Sequence, residues 1–372
     1  MESISRLLGL FLFQPMRLLF YIPVLYCFLA CSSQTDESDG EVSIDHSDNP
    51  VSMHHDATAQ KVEVFINQQL FTEYRYAPEI KKPVLFPLVA SDGTIMTRGY
   101  PLEPRPGEQT DHLHHVGHWM NHGVVNQVDF WATTSETKST DEQIYGTVRH
   151  RELTEMSEGQ EGSLAYLADW VSDRGDTLLV EQTRFVFKAE EDLRIFDRIT
   201  TLEAQGEPVT FEDSKEGMMA VRVARFLEQP YDEPQELVGN DNKPMSQKVV
   251  DNEHVKGSYL NSEGLRGDAV WGKRAQWVTL ASSKENRSYS ITMMDHPQNV
   301  NYPTHWMARG YGLFAANPLG STVYSEGKES LNLYLDPGES TTFIYRILLH
   351  QGDAITQQKL DEMYQHFVKS YE

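Results

Sequence analysis

The stretch SLAYLADWVSDRGDTLLVEQTRFVF, residues 163–187, decides the fold class. Two runs rich in Leu, Val, Tyr, Trp and Phe flank the polar segment DRGD at 173–176. Aromatic and β-branched residues favour strands, and a short polar connection that contains Gly is typical of a β-hairpin. The stretch therefore predicts two long antiparallel strands.

Similar runs occur on both sides of this hairpin. They are KVEVFIN (61–67), LRIFDRITTLEA (193–204), AVRVARFL (220–227), AQWVTLAS (275–282), YSITMMD (289–295), LNLYLD (331–336) and TTFIYRILLH (341–350). Their spacing is that of antiparallel sheets and not of alternating strands and helices. We predict an all-β fold, an antiparallel β-sandwich that forms one domain over residues 61–372.

One helix is expected at the C-terminus, after Asp353 as a cap. Its apolar stripe consists of Ile355, Leu360, Met363, Tyr364, Phe367 and Tyr371. A stripe of this kind packs against a sheet. Residues 229–268 and 295–320 are expected to be long irregular excursions, and the second is rich in aromatic and basic residues.

Both cysteines, Cys27 and Cys31, lie near the N-terminus. The apolar run LLFYIPVLYCFLA (18–30) follows Arg17, which is typical of a signal peptide. We predict that residues 1–30 are a lipoprotein signal peptide and that Cys31 is lipidated. The mature chain would then have no other thiol, which excludes disulfides, a Cys-ligated zinc ion and a Cys nucleophile.

Residues 31–60 are rich in Ser, Asp and Glu and are expected to be a disordered acidic tether. A lipid anchor would place the protein in the bacterial cell envelope, with the anchor as its membrane contact. The formal net charge is −23, so nucleic acid is not expected as a partner.

The segment DHLHHVGHWMNH, residues 111–122, contains five of the fourteen histidines. His114, His118 and His122 are four residues apart, so a helix or a strand would place them on one face. His115 lies beside them. Imidazoles transfer protons near neutral pH, and we predict these four as catalytic acids or bases.

Two other segments concentrate polar side chains that are costly to bury: FEDSKEGMMAVRV (211–223) and the excursion 295–320. In the first, Asp213 and Glu216 are the predicted partner carboxylates of the histidines. The predicted substrate-binding residues are Lys215, Arg222, Trp271, Arg274, His296, His305, Trp306 and Arg309. Trp stacks on sugar rings and Arg binds carboxylates, so we expect the segments to converge in one pocket for a carbohydrate or another small polar ligand. A salt-bridge network beside a histidine-rich rim is the structural alternative.

A metal site is the competing hypothesis. His114, His118 and His122 with one carboxylate would form a facial triad for a divalent metal. The chain has no HExxH motif, and it has no G-x-S-x-G, G-x-G-x-x-G or P-loop motif. No cofactor is therefore predicted, and a divalent metal remains the alternative.

Several long stretches resemble, in order, a family of bacterial proteins of unknown function called PmoA-like (methane oxygenase PmoA). They are PVLFPLVASDGTIMTRGYP (83–101), DHLHHVGHWMNHGVVNQVDFW (111–131), FEDSKEGMMAVRV (211–223), WGKRAQWV (271–278) and DHPQNVNYPTHWMARGYGLFAANPLG (295–320). The ending LNLYLDPGESTTFIYRILLHQGD (331–353) is similar to the closing hairpin of the galactose-mutarotase-like supersandwich. That resemblance implies carbohydrate binding on one sheet, with His and acidic residues as acid and base.

The sequence thus leads to three functional hypotheses. The first is a secreted lipoprotein that acts on a carbohydrate or sugar derivative by His and carboxylate acid–base chemistry. The second is a noncatalytic glycan-binding lipoprotein. The third is a metal-dependent, oxygenase-like enzyme with histidine ligands.

Overall fold

The computed structural model describes residues 50–190 and 192–372. The predicted signal peptide and Cys31 lie outside the described residues. The strands are β1 (Val51–Asp56), β2 (Lys61–Ile66), β3 (Gln69–Arg75), β4 (Val84–Leu88), β5 (His118–His122), β6 (Val128–Asp129), β7 (Ile144–Ser157), β8 (Glu161–Ser172), β9 (Thr177–Glu190), β10 (Leu193–Ala204), β11 (Val209–Phe211), β12 (Gly217–Arg222), β13 (Ser258–Asn261), β14 (Trp277–Lys284), β15 (Arg287–Asp295), β16 (His305–Ala308), β17 (Leu313–Asn317), β18 (Leu333–Leu335) and β19 (Ser340–Gly352).

Two large sheets form a β-sandwich, which confirms the predicted fold class. One sheet has eight strands in the order β1-β2-β3-β4-β5-β12-β17-β16, and the other has nine in the order β13-β14-β15-β19-β10-β9-β8-β7-β6. Strands β11 and β18 form a small separate ladder. The predicted hairpin is β8 and β9, paired antiparallel from Glu161 opposite Lys188 onward. The short β6–β7 pair is parallel.

The eight-stranded sheet has an inner and an outer apolar surface because its side chains alternate between the two faces. In β12, Met219 and Val221 belong to the large core between the sheets. Ala220 belongs instead to a smaller apolar cluster with Trp119 and Trp131 on the outer face. The functional candidates are distributed over these two faces.

Two α-helices are present in the described residues, α1 (Ser321–Tyr324) and α2 (Gln357–Lys369). Short 3₁₀ turns span Pro78–Ile80, Arg225–Leu227 and Gly267–Val270. Helix α2 confirms the predicted C-terminal helix and buries Leu360, Tyr364 and Phe367 against the outer face of the nine-stranded sheet. Its cap is Thr356, whose side chain accepts a hydrogen bond from the Lys359 amide, and not Asp353.

The structure corrects three boundaries. Residues 51–56, predicted as part of the tether, form edge strand β1 against β2. The excursion 229–268 contains β13, and the excursion 295–320 contains β16 and β17. These strands are short and are separated by segments that contain Gly, Pro and Asn, which hides their alternation in the sequence. Among residues 50–190 and 192–372, the structure contains no helix that is long and apolar enough to span a membrane.

Candidate functional site

A buried arginine fixes the histidine-rich loop that precedes β5. The Arg98 guanidinium donates hydrogen bonds to the carbonyls of Gln109 (3.1 Å), Asp111 (2.8 Å), His112 (2.9 Å) and His115 (3.0 Å). One charged side chain therefore satisfies four backbone acceptors that the irregular loop leaves without a ladder partner. This loop is held in one conformation at the outer face of the eight-stranded sheet.

A second buried arginine joins β12 to the same loop. Arg222 Nη2 lies 2.6 Å from Asp111 Oδ1, and Nη1 donates to His115 Nδ1 at 3.3 Å. Burial raises the pKa of Asp111, but Arg222, the His112 hydrogen bond and Arg98 outweigh burial and hold this pKa far below its usual value. Asp111 is therefore an anion shared by two arginines, which accounts for their burial.

Aromatic rings extend from this ion pair across the sheet. The His112 ring lies parallel to His115 at 4.6 Å between centroids and to Tyr311 at 5.2 Å. His115 stacks on Trp119 at 5.3 Å and meets Trp131 edge-on at 5.7 Å. We use the name outer-face cluster for the following set of residues. It consists of Lys82, Asp111, His112, His114, His115, Trp119, Asn121, Trp131, Arg222 and Tyr311.

Five polar atoms in this cluster are buried and have no hydrogen-bond partner among the described residues. They are His115 Nε2, Trp119 Nε1, Asn121 Oδ1, Trp131 Nε1 and Arg222 Nε. Leaving a buried donor or acceptor unpaired costs about 1–3 kcal/mol, and the cost is removed when a water or a ligand binds. Five such atoms in one cluster indicate a binding surface.

Lys82 lies under the histidine loop and is almost fully buried. Its amine donates to the His114 carbonyl at 2.7 Å and lies 5.3 Å from the Trp119 ring. Burial lowers the pKa of Lys82 to about 7, and the nearby Asp129 opposes this effect. A lysine with a pKa near neutrality can both accept and donate a proton, so Lys82 is a candidate acid–base group.

His114 lies next to His115, with ring centroids 4.3 Å apart. Burial, followed by the charge of Lys82, holds the pKa of His114 far below its usual value. The His115 pKa is lowered in the same way, first by burial and then by His114 and Arg222. Both imidazoles are therefore neutral near pH 7 and can accept hydrogen bonds at one nitrogen.

A group of aromatic residues borders the cluster on the side of β16. Arg309 lies 3.5 Å from the Trp271 ring, and Trp271 meets Tyr324 edge-on at 5.3 Å. His305 stacks on Tyr324 at 5.3 Å and donates to the Gly272 carbonyl. Burial raises the pKa of Tyr311 to about 12, and the charges of Arg222 and Arg309 oppose this rise. Tyr311 and Arg222 belong to the outer-face cluster and Arg309 to the aromatic group, so the two sets of residues are neighbours.

Glu216 lies at the same rim, half-buried, with its carboxylate 3.2 Å from Lys215. Its charge contributes to the raised pKa of Tyr324, for which burial is the main cause. It also contributes to the raised pKa of Asp129, again after burial. Glu216 therefore provides a partly exposed carboxylate at this rim.

The structure brings together three of the predicted site residues in the cluster: His114, His115 and Arg222. Arg309 and Trp271 lie in the bordering aromatic group, and Lys215 and Glu216 lie beside Tyr324 of that group. Arg274 lies at the edge, where it donates to the Asn301 and Pro303 carbonyls and pairs with Glu329 at 2.6 Å. His305 is 3.9 Å from the same carboxylate. These two residues border the cluster.

The expectation that His114, His118 and His122 share a face is wrong. His114 precedes β5, and His118 and His122 point from β5 into the interior of the sandwich. The His118 ring contacts Phe196 at 5.1 Å and donates to the Ala220 carbonyl. His122 donates to the Glu212 carbonyl at 2.7 Å. Both imidazoles are enclosed, and burial lowers the pKa of His122 to about 4.

Three further residues lie apart from the outer-face cluster because each stabilises another element. Asp213 accepts hydrogen bonds from the backbone amides of Thr322 and Leu331, which fixes the connection after α1. His296 donates to the Val368 carbonyl and so anchors α2. Trp306 faces the core and donates to the Ala275 carbonyl.

The proposed metal triad does not form, since its three histidines point to different sides of the sheet. No group of three or more His, Cys, Asp or Glu side chains within residues 50–190 and 192–372 is placed to hold a metal ion.

Sequence reasoning missed Lys82, Asp111, Trp119 and Tyr311. Lys82 ends the pair KK two residues before the buried strand β4 begins, and Trp119 alternates with His118 in β5. Such positions could be noticed in the sequence, but their burial depends on other segments, the histidine loop for Lys82 and Trp131 for Trp119.

The fold and the cluster define a class, a β-sandwich with a polar, aromatic-lined site on one outer face. Residues 61–365 match the family described as "Family of unknown function (DUF6807)", and the chain belongs to this family. No curated protein is significantly similar to it in sequence. A family of unknown function provides no reaction, so the function has to be inferred from the residues of the cluster.

Solved structures with a similar arrangement include the GH36 α-galactosidase AgaB from Geobacillus stearothermophilus, with a TM-score of 0.37, 9% identity and coverage of 81% of this chain and 41% of that chain. An α-galactosidase from Lactobacillus brevis has a TM-score of 0.35 and 8% identity, with coverage of 85% and 42%. The Slr1438 protein from Synechocystis sp. PCC 6803 has a TM-score of 0.32 and 8% identity, with coverage of 81% and 95%. This chain spans less than half the length of the two galactosidases.

Proposed function

We propose that the outer-face cluster binds a carbohydrate or sugar derivative and carries out acid–base chemistry on it. The observation that carries this proposal is the set of five buried polar atoms without partners beside ionisable residues. Sugar hydroxyls both donate and accept hydrogen bonds, so one ligand can satisfy the indole N–H groups and the Asn121 oxygen together. Tyr311 and Trp271 offer ring faces for the C–H surfaces of a sugar.

The proposed acid–base groups are Lys82, His114 and Glu216. Lys82 has a pKa near 7 and can donate or accept a proton, whereas His114 is neutral and acts as an acceptor. Glu216 provides the carboxylate at the solvent side. Groups with different proton affinities at one site are what proton transfer to and from a substrate requires.

The test is a screen of neutral and acidic mono- and oligosaccharides by tryptophan fluorescence, with product detection by mass spectrometry. For a carbohydrate that is converted, Glu216→Gln should reduce kcat by about 100-fold or more, the usual contribution of a general acid or base. The matched control is Glu161→Gln, because Glu161 pairs with Lys188 at 3.3 Å on the nine-stranded sheet, as Glu216 does with Lys215 at 3.2 Å.

The control variant should keep the wild-type rate. Equal losses in both variants would contradict a role for Glu216. Binding without conversion in the wild-type protein would leave a noncatalytic glycan-binding module, and a failure of every carbohydrate to bind would overturn the proposal.

A PmoA-type oxygenase remains a more distant prediction based on the resemblance alone. Such an enzyme would need a metal centre, and the trio His114, His118 and His122 cannot provide one.

We further propose that Cys31 is lipidated after removal of residues 1–30, which would anchor the protein in the bacterial cell envelope. The basis is the apolar run 18–30 before a polar segment. Mass spectrometry of membrane-extracted protein should detect an acylated N-terminal Cys31. Retention of Cys31→Ser in the membrane fraction would contradict this prediction.

A further inference from the structure

A cavity of about 390 Å³ lies apart from the outer-face cluster, between the 95–108 segment and the β14–β15 hairpin. Its volume is in the range of small-molecule sites. Ile95, Ala224 and Phe226 provide an apolar wall, and Phe226 is largely buried. None of its lining residues belongs to the outer-face cluster, so the cavity needs an explanation of its own.

Basic side chains surround the open side of this cavity. Arg105 and Arg225 are held by buried carboxylates, Arg105 by Glu108 at 2.8 Å and Arg225 by Glu228 at 2.7 Å. Each arginine is neutralised by its carboxylate partner, so the two pairs add little net charge to the cavity. The ion pairs also hold the arginine side chains in place.

Lys256 and Lys284 differ from the two arginines. Within residues 50–190 and 192–372, neither amine forms an ion pair with a carboxylate, although the chain has 55 acidic and only 32 basic residues. The Lys284 amine lies 5.6 Å from the Phe226 ring centroid, at the boundary between the apolar wall and the opening. Glu285 also lines the cavity, so the two unpaired amines leave its lining with one excess positive charge.

The segment that carries Lys256 is fixed against the cavity wall. The Gly257 amide donates to the Glu228 carbonyl at 2.8 Å, and a Cβ at Gly257 would lie 1.9 Å from the Leu227 carbonyl oxygen. Only a glycine allows this close approach to the 3₁₀ turn Arg225–Leu227. Lys256 is therefore attached to a segment whose backbone is in place before any ligand arrives.

We infer that this cavity is a second binding site, for a small organic anion with an apolar or aromatic body. The body would lie against Ile95 and Phe226, and a phosphate or carboxylate would bind the amines of Lys256 and Lys284. His254, which also lines the opening, provides a further hydrogen-bond donor. This site is independent of the proposed function of the outer-face cluster.

The test is isothermal titration of the full chain with phenyl phosphate and, separately, with inorganic phosphate. Phenyl phosphate should bind with one-to-one stoichiometry and about tenfold more tightly than inorganic phosphate, because its ring is removed from water against the apolar wall. The variant Lys256→Gln/Lys284→Gln should weaken phenyl phosphate binding by about tenfold or more, since two charge-assisted contacts are lost.

The matched control is Lys243→Gln/Lys369→Gln, which makes the same charge change at two exposed lysines outside the cavity. It should leave the affinity within about twofold, as expected if the loss arises from local contacts and not from net charge. Absence of saturable phenyl phosphate binding would overturn the inference. Equal affinity for both phosphates, or equal weakening in both double variants, would do so as well.

Discussion

The outer faces of the two sheets both bury large aromatic side chains. They differ in whether the polar atoms of these side chains have hydrogen-bond partners. On the nine-stranded sheet, α2 covers the face, and the polar atoms there are paired. The Trp277 indole donates to Asp361 at 2.9 Å, and the Tyr302 and Tyr364 hydroxyls lie 2.7 Å apart. This face is complete without a ligand.

On the eight-stranded sheet, loops replace the helix as the cover. Trp119 and Trp131 are as buried as Trp277, yet their indole N–H groups have no partner among the described residues. Single unpaired atoms also occur elsewhere in the described residues, for example at Thr72, Asn261 and Tyr345, but the outer-face cluster holds five of them. The comparison teaches that neither burial nor one unpaired atom marks a site, whereas several unpaired atoms within one cluster do.

The largest expected effect tests the covered face. Phe367→Ala should reduce the free energy of unfolding by about 3–5 kcal/mol, because it leaves a cavity between α2 and the sheet. Phe367 is fully buried there and contacts the ring of His296. Urea denaturation measures the loss.

Gln365→Ala, an exposed change on the same helix, should cost less than about 0.5 kcal/mol. If Phe367→Ala also cost less than about 1 kcal/mol, the packing of α2 would not stabilise the sandwich in the way described.

The next effect tests the buried amine on the other face. The pKa of Lys82 is lowered by burial from 10.5 to about 7, so between these values the unfolded chain binds a proton that the folded protein does not. Stability therefore rises with pH in this window, by up to about 1.4 kcal/mol per pH unit from this group. Lys82→Met should remove that dependence.

Urea denaturation at pH 7, 8 and 9 measures it. The wild-type protein should gain about 2 kcal/mol relative to Lys82→Met between pH 7 and pH 9. Lys81→Met, at the half-buried neighbouring residue, should follow the wild-type pH dependence. Parallel curves for wild type and Lys82→Met would show that the amine is charged in the folded protein.

The sequence was sufficient to predict the sandwich, its long hairpin and α2. Strand alternation and the apolar stripe are local properties, and the β8–β9 turn DRGD contains Gly175 at positive φ. The convergence was predicted in part: His114, His115 and Arg222 lie together. Their segments contain charged and polar side chains that are costly to bury, and such residue types can be recognised in the sequence.

The sequence did not predict the direction in which individual side chains point. Gly117, at φ +56°, turns the chain just before β5, and a Cβ there would meet the Leu85 carbonyl oxygen at 2.3 Å. The turn separates His114 from the alternation of β5, so equal spacing did not give one face. Lys82 escaped notice because a lysine before a strand is ordinarily solvated, and its burial depends on the distant histidine loop.

The smallest expected effect compares two equivalent tryptophans directly. Trp277→Phe and Trp119→Phe remove the same atoms from fully buried positions, so the loss of packing is similar in both. Trp277→Phe also removes a hydrogen bond to the Asp361 carboxylate, whereas the Trp119 indole has no such bond to lose. Trp277→Phe should therefore be less stable than Trp119→Phe by about 1–2 kcal/mol in urea denaturation.

Ligand binding should show the opposite order. A carbohydrate that binds the outer-face cluster should bind Trp119→Phe several-fold more weakly, at about 1 kcal/mol for one hydrogen bond, and Trp277→Phe with unchanged affinity. Equal stability of the two variants would mean that the Trp119 indole is paired in solution, for example with water. Unchanged ligand binding by Trp119→Phe would then exclude the Trp119 indole N–H from ligand recognition. The two faces would in that case differ only in what packs against them, and not in whether their polar atoms await a ligand.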